Sequence, residues 1–272
     1  MSVLVVLLVT ALAAVLVQLL TWLVALRLGR VSVVDVTWGP TFAVIALVAF
    51  LATPDDGDPA RRVALVVLTT VWGLRLGTHI GLRQRGVPRG QDGEDPRYTE
   101  MLGRSKLPPK LAALVMVFLL QAASAWFISL PVQVGLISDG SLIGPAGFGV
   151  LAWLGVAVWS VGFFFETVGD WQLQRFRDDP SSKGQVLNTG LWRYTRHPNY
   201  FGDAAVWWGL FLIAGDAGWP LLVFPATAFM TWLLAAKTGK PLMEKALSSS
   251  RPGYAEYVER TSGFIPLPPK RR

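Results

Sequence analysis

Two carboxylates interrupt the apolar run Phe163-Phe164-Phe165-Glu166-Thr167-Val168-Gly169-Asp170, and Leu173 or Gln174 and then Arg177 continue the series at i, i+4, i+7/8 and i+11. That spacing puts two acids, an amide and a guanidinium on one helical stripe. A solvated helix end accounts for Arg177 but not for Glu166, which directly follows three phenylalanines. A second run is dense in donors: Asn188-Thr189-Gly190-Leu191-Trp192-Arg193-Tyr194-Thr195-Arg196-His197 precedes Pro198-Asn199-Tyr200-Phe201-Gly202-Asp203. Proline fixes a helix start, and Asn199 and Asp203 fall four apart on that helix. The pattern suits an anionic ligand held at the start of a helix. Interface anchoring alone would use Trp192, Tyr194 and the arginines and would have no need of Asn199 and Asp203.

Asp35 opens another apolar segment, Val33-Val34-Asp35-Val36-Thr37-Trp38-Gly39-Pro40. An ionisable side chain at helix-centre depth in a bilayer costs roughly 2.5–3.5 kcal/mol, so it is paired, faces a cavity or serves chemistry. Asp35 is read either as an interfacial partner of Arg30 or as a site acid. Arg75 and His79 lie four apart on a further apolar segment, with Arg83 one turn beyond, and Arg75 can neutralise Asp35.

The elements that must position these residues follow from composition. Of 272 residues, 52% are hydrophobic and 16% charged, with mean hydropathy +0.44, too little polar surface to coat a globule of this size. The expected fold is an all-α, polytopic transmembrane helical bundle. About 20 apolar residues cross a hydrocarbon core of roughly 30 Å, which predicts seven spans: 3–28, 33–51, 63–80, 111–130, 145–168, 200–214 and 219–236. Lys and Arg collect in alternate connections, which predicts the N-terminus outside and the C-terminus in the cytosol. Nothing basic precedes the first apolar run and no small-residue cleavage site ends it, so it is expected to stay as a helix. The chain reads as a single integral membrane domain, with a substrate half over 1–130 and a cofactor half over 145–272. In a bacterium it would lie in the inner or plasma membrane.

Several classes are excluded. The net charge of +7 is held in blocks between apolar runs, which argues against nucleic acid. The absence of cysteine removes thiolate chemistry and Cys-ligated metals, and two histidines are too few for a multi-histidine iron cage, so no metal is expected. A transporter would explain intramembrane charge but not a donor cluster crowded on one face, and no paired half-helices signal an inverted repeat.

At these residues the sequence resembles the membrane steroid 5α-reductase superfamily (3-oxo-5-alpha-steroid 4-dehydrogenase family), nearest its bacterial 5α-reductase-like branch. The resemblance rests on Asp35 to Pro40, Glu94-Asp95-Pro96-Arg97-Tyr98, Glu166 to Arg177, Asn188 to Asp203, and Gly253-Tyr254 through Phe264-Ile265-Pro266. It implies seven helices, NADPH bound inside the bundle, and reduction of an enone C=C in a lipophilic, steroid-like or other lipid substrate. It further implies that Asp170, Arg177 and Asn199 hold the cofactor, with Asp203 where the family has Glu and Glu166 where the animal enzymes have Asn. Arg193, Tyr194, Arg196, His197 and Tyr200 follow as phosphate or ribose contacts, and Lys240, Glu244, Tyr254 and Tyr257 as tail contacts. The animal enzymes polarise the ketone with a Gln-Glu pair and a tyrosine. Here the aligned pair reads Val34-Asp35, and the third span offers Arg75 and His79 without a tyrosine, so a steroid substrate is not carried over.

No connection can hold the repeated βαβ units of a Rossmann domain, and no GxGxxG follows a strand, so NADPH would have to bind among the helices. The expected chemistry is hydride transfer to the β-carbon of an α,β-unsaturated carbonyl. Asp35, kept protonated by burial and helped by His79 or Arg75, would stabilise charge on the oxygen. The rival reading is an S-adenosylmethionine-dependent methyltransferase of the isoprenylcysteine type, which shares Arg-His-Pro-x-Tyr-x-Gly, matched here by Arg196 to Gly202.

Overall fold

The computed structural model describes residues 2–86, 94–144, 148–237, 244 and 251–270. Among these residues no strand forms, and Thr195 and Ser262 make an isolated parallel bridge. The helices are α1 (Val3–Leu28), α2 (Val33–Ala52), α3 (Pro59–Gly86), α4 (Pro96–Gly103), α5 (Pro109–Ile128, with a π-helical turn over Leu114–Leu119), α6 (Leu130–Gly135), α7 (Val150–Asp178), α8 (Pro198–Gly215), α9 (Trp219–Lys237) and α10 (Tyr254–Arg260). Six of them, α1, α2, α3, α5, α7 and α9, are long and apolar enough to cross a bilayer, which makes the chain a multi-pass integral membrane protein. The segment 200–214, expected as a span, forms the helix α8. Asn199 and Asp203 in its first two turns dilute its apolar run, and α8 is not among the six.

The chain forms two compact units. The first comprises Met1–Gly149 with Ala214–Leu221. Its first helix is amphipathic in reverse: Leu4, Leu8, Leu12, Leu16 and Leu20 are exposed while Thr10, Gln18 and Thr21 are buried. Lipid solvates the leucines, and the polar side chains find partners inward. Thr10 donates to Gln133 Oε1 at 2.7 Å, Gln18 donates to Thr41 Oγ1 at 3.1 Å and Thr21 to Thr37 Oγ1 at 3.3 Å. Helices α2 and α3 cross backbone on backbone. A Cβ on Gly39 would strike the Gly73 carbonyl, one on Gly73 the Gly39 carbonyl, and one on Gly77 would lie 2.7 Å from Pro40. At the start of α3, Arg61 is wholly buried, donating to Ser138 O at 2.7 Å, Gly140 O at 2.5 Å and Asp216 at 3.2 Å. Arg62 is likewise used up on Thr53, Asp56 O, Leu136 O and Phe50 O.

The second unit comprises Val150–Ile213 with Leu222–Arg272. Helix α7 has 29 residues, so at 1.5 Å per residue it is about 44 Å long and outruns a hydrocarbon core of about 30 Å. Its glycines at 155 and 162 meet α8 at Gly209 and Gly202, a seven-residue spacing on both helices. A Cβ at Gly155 would lie 2.7 Å from Gly209 O, and one at Gly202 2.5 Å from Gly162 O. With no side chains between them, the two backbones touch.

Candidate functional site

The polar residues singled out in the sequence fall into two groups, one in each unit. In the first unit Asp35 stands in the first turn of α2, one turn before the Gly39–Gly73 crossing. Its bonded partners come from α4. Tyr98 donates its hydroxyl to Oδ1 at 2.5 Å and Arg97 donates to Oδ2 at 3.0 Å. Arg30 was the structural partner expected, and Arg75 and His79 the helpers. The last two lie half-buried on α3, and the carboxylate is satisfied from a different segment.

Helix α4 forms because Asp95 caps it, accepting from the Arg97 N–H at 2.9 Å, and Pro96 occupies the first turn, where no N–H is needed. Glu94 ties this helix to α2 by accepting the backbone N–H groups of Val31 and Ser32, the latter at 3.1 Å. The ring of Tyr98 is sunk among Ala25, Val34, Ala113, Val117 and Phe118, where the π-helical turn of α5 packs against α1. Burial, then the charge of Asp35 and the hydrogen bond to it, push the Tyr98 phenol well above its ordinary value, so it is held as a donor. Burial would raise the Asp95 carboxyl, but hydrogen bonds from Arg97 and the charges of Arg97 and Arg83 outweigh it and hold the group low. The result is a phenol donating to the Asp35 carboxyl group, with a guanidinium locked to both Asp95 and Asp35 at 2.9 and 3.0 Å.

In the second unit the backbone contact of α7 with α8 sets the next group. Glu166 and Asp170, one turn apart on α7, are 2% and 5% exposed, and Asp203 on α8 is 8% exposed. Asn199 donates its amide N–H to Asp170 Oδ1 at 3.0 Å. Gly169 lies 3.2 Å, as a notional Cβ, from the Asn199 N–H, so the two polar pairs are drawn to the same crossing. The stripe expected along α7 changes character beyond Asp170. Gln174 bonds Asp178 at 2.8 Å on an exposed surface, Arg177 is exposed on the last turn, and Gln172 is the amide turned to the neighbouring loop.

That loop is fastened to α7. The Leu191 N–H donates to Gln172 Oε1 at 3.0 Å and the Trp192 indole donates to Gly169 O at 3.1 Å. Gly190 has φ +58°, and a Cβ there would collide with the Gln172 amide. The C-terminal segment runs beside the loop: Arg196 N–H donates to Ser262 O at 2.9 Å, Leu267 N–H to Tyr194 O at 3.0 Å and Thr195 Oγ1 to Phe264 O at 2.8 Å. The Arg196 guanidinium, read in the sequence as a phosphate or ribose contact, is directed at Glu244 at 2.8 Å, Val258 O at 3.0 Å and Thr261 O at 2.5 Å. His197 lies 3.3 Å from the same Glu244 oxygen and stacks on Tyr200. These three residues hold the tail in place. Tyr254 and Tyr257 are buried beneath it, and Tyr257 donates its hydroxyl to Trp192 O. Burial and then the charge of Glu244 push the Tyr254 phenol up to about 12, and burial raises Tyr257 as well. Tyr194 is 43% exposed. Lys240 lies outside the described residues.

Between loop and tail is a polar cleft of about 660 Å³, lined on the loop side by Gln185, Asn188, Thr189 and Arg193 and on the tail side by Glu256, Tyr257 and Arg260. Among the described residues no three His, Cys, Asp or Glu side chains are grouped to hold a metal ion.

Sequence reasoning missed Tyr98, Arg97, Gln172 and Arg260. The signal for the first two was present: Asp95-Pro96 is a helix-start signature, and Tyr98, Met101 and Leu102 recur on one face of the helix it opens.

The profile of a family described as "Protein of unknown function (DUF1295)" matches residues 21–261. An uncharacterized protein of Schizosaccharomyces pombe is 24% identical over 227 residues, a stretch covering 76% of this chain and 63% of that relative. The chain therefore spans about 63% of the length of the curated relative it matches. No solved structure matches it.

Proposed function

The chain belongs to the DUF1295 family, and on that footing we propose that it is an NADPH-dependent membrane reductase of the steroid 5α-reductase-like superfamily, in its bacterial branch, saturating the C=C of an enone in a lipophilic substrate. The carrying observation is the set of buried Glu166, Asp170 and Asp203 with half-buried Asn199 on two helices whose backbones touch. Buried carboxylates and an amide are costly in a membrane protein unless a ligand or a fixed network uses them. As acceptors beside a donor they fit ribose hydroxyls and a carboxamide, and exposed Arg177 and Arg193 fit phosphates. Arg196 is left out of the phosphate role, since its guanidinium is committed to the tail.

Bound NADPH would supply the hydride that the β-carbon accepts. The electron pair of the C=C then moves toward the carbonyl oxygen, where a donor must meet it. Tyr98 takes that part by turning its hydroxyl from Asp35 to the substrate oxygen, while the apolar cluster of Ala25, Val34, Ala113, Val117 and Phe118 holds its ring in place. A solvent-derived proton at the α-carbon completes the saturated product. This differs from a protonated Asp35 acting directly, because the carboxylate already accepts two hydrogen bonds.

The proposal includes a seventh span, α8, with the N-terminus outside and the C-terminus in the cytosol. Its support is that Arg61 is paired with Asp216 and Arg62 is hydrogen-bonded to carbonyls inside the fold, so neither stands as a free surface charge in their connection.

The deciding experiment is equilibrium binding of NADPH and of S-adenosylmethionine to the purified protein in detergent. NADPH should bind, and Asp170→Ala should weaken it roughly tenfold, the loss expected for a hydrogen bond to a charged group. Binding of S-adenosylmethionine without NADPH would replace this reading with the methyltransferase one.

A further inference from the structure

We propose that the cleft between the 185–193 loop and the 252–261 tail is the seat of the adenosine end of the cofactor, and that Arg193 and Arg260 select for a phosphate on its 2′-oxygen. The inference rests on the reductase reading, and it adds the residues that would separate a phosphorylated dinucleotide from its unphosphorylated twin.

A volume of about 660 Å³ is within the usual range of ligand pockets, and the walls are polar where most such pockets are apolar. The lining holds two guanidiniums and one carboxylate, with Arg193 on the loop wall and Arg260 beside Glu256 on the tail wall. Arg193 and Arg260 are both exposed, so a ligand can reach their donors without unfolding anything. Guanidinium forks pair with phosphate oxygens in bidentate fashion, and Asn188 and Thr189 add an amide and a hydroxyl for ribose or base. Arg260 meets Glu256 at 3.4 Å, a long, half-exposed contact that a dianion would readily displace.

The position along the chain also fits. Gln172 and Gly169 on α7 staple the loop, and Asp170, next to Gly169, holds Asn199. Arg193 and Asn199 are six residues apart, so their backbones are separated by at most about 22 Å, within the reach of an extended dinucleotide. The tail wall is fixed independently of any ligand, through the Arg196 contacts to Val258 O and Thr261 O.

The test uses the full-length protein in detergent and reads binding of 2′,5′-ADP, 5′-AMP, NADPH and NADH by calorimetry, with melting temperature as the folding control. Wild type should bind 2′,5′-ADP more tightly than 5′-AMP. Arg193→Gln and Arg260→Gln should each weaken 2′,5′-ADP and NADPH roughly tenfold while leaving 5′-AMP and NADH nearly unchanged. Glu256→Gln should tighten 2′,5′-ADP, an effect of opposite sign that loss of packing would not produce. Equal affinity for 2′,5′-ADP and 5′-AMP, or arginine variants that bind 2′,5′-ADP as wild type does, overturns the assignment even if NADPH binds. Retained selective binding of 2′,5′-ADP with no binding of either dinucleotide supports the cleft and removes the reductase reading.

Discussion

Replacing Gly202 by alanine tests whether the backbone contact between α7 and α8 sets the polar group built on it. The added methyl would fall on the Glu166 N–H, 2.5 Å from the Gly162 carbonyl and 2.8 Å from Glu166 Cα, all backbone atoms that no rotamer can move. Ordinary contact begins near 3.4 Å, so the helices must part by at least about 0.9 Å at this point. Asn199 stands one turn earlier on α8, and its bond to Asp170 across the same crossing measures 3.0 Å. A rigid separation of that size lengthens it to nearly 4 Å, beyond hydrogen-bonding range. Overpacking of this kind costs typically 1–3 kcal/mol, and the broken bond to a charged acceptor about 1.5–3 kcal/mol where it contributes to binding. Gly202→Ala should therefore lower the melting temperature in detergent and weaken NADPH roughly tenfold or more. Gly103→Ala, at the end of α4 with nothing within 4 Å of its added methyl, should leave both unchanged or slightly raise stability. Gly202→Ala that melts and binds like wild type would refute the idea that this crossing is limited by backbone.

Tyr98→Phe removes the donor meant for the substrate oxygen, and enone turnover should fall about 10²–10³-fold with little change in NADPH affinity. A turnover unchanged by this substitution takes Tyr98 out of the chemistry. The same residue shapes alkaline stability. Its phenol is raised in the fold, so the native state holds the proton more tightly than the unfolded chain does. That contribution is complete below pH about 10 and is lost as pH rises through the folded value. Thermal melts above pH 10 should decline less steeply for Tyr98→Phe than for wild type, keeping the part owed to Tyr254 and Tyr257. Asp216→Ala strips the wholly buried Arg61 of its carboxylate and should cost about 3–5 kcal/mol, with Arg61→Met in the same chain restoring part of it. Wild-type melting of the single variant would mean the pair is structurally idle.

The helical, multi-span character was legible because lipid imposes a length and a polarity on every crossing segment, and α1, α2, α3, α5, α7 and α9 obey both. The acids and amide of α7 and α8 were legible for a related reason. Glu166 after three phenylalanines has no cheap solvated place to go, and Asn199 and Asp203 share its predicament one helix later. What periodicity could not deliver was the partner of each group. Helical spacing pairs a residue only with its own neighbours, so it bracketed Arg75 with His79 and set Gln174 on the stripe, whereas Gln172 makes the contact to the loop.

The Asp35 site shows why such errors collect at the ends of spans. A carboxylate in the first turn of a membrane helix is near enough to the surface to be served by an extramembrane segment, and segments of that kind are free to come from anywhere in the chain. Here α4 supplies both donors from more than sixty residues away, as the contacts of Arg97 and Tyr98 span 62 and 63 positions. Those residues looked like part of a charged connection because their anchors, Tyr98 with Met101 and Leu102, are few among polar neighbours. The accounting of backbone donors does point to them. The turn entering α2 leaves the Val31 and Ser32 N–H groups without backbone partners, and no side chain at the helix cap takes them, so an acceptor from elsewhere is called for. Glu94 meets that requirement at Val31 and Ser32, and once it is seated, Arg97 and Tyr98 are carried to Asp35 on the turn that follows.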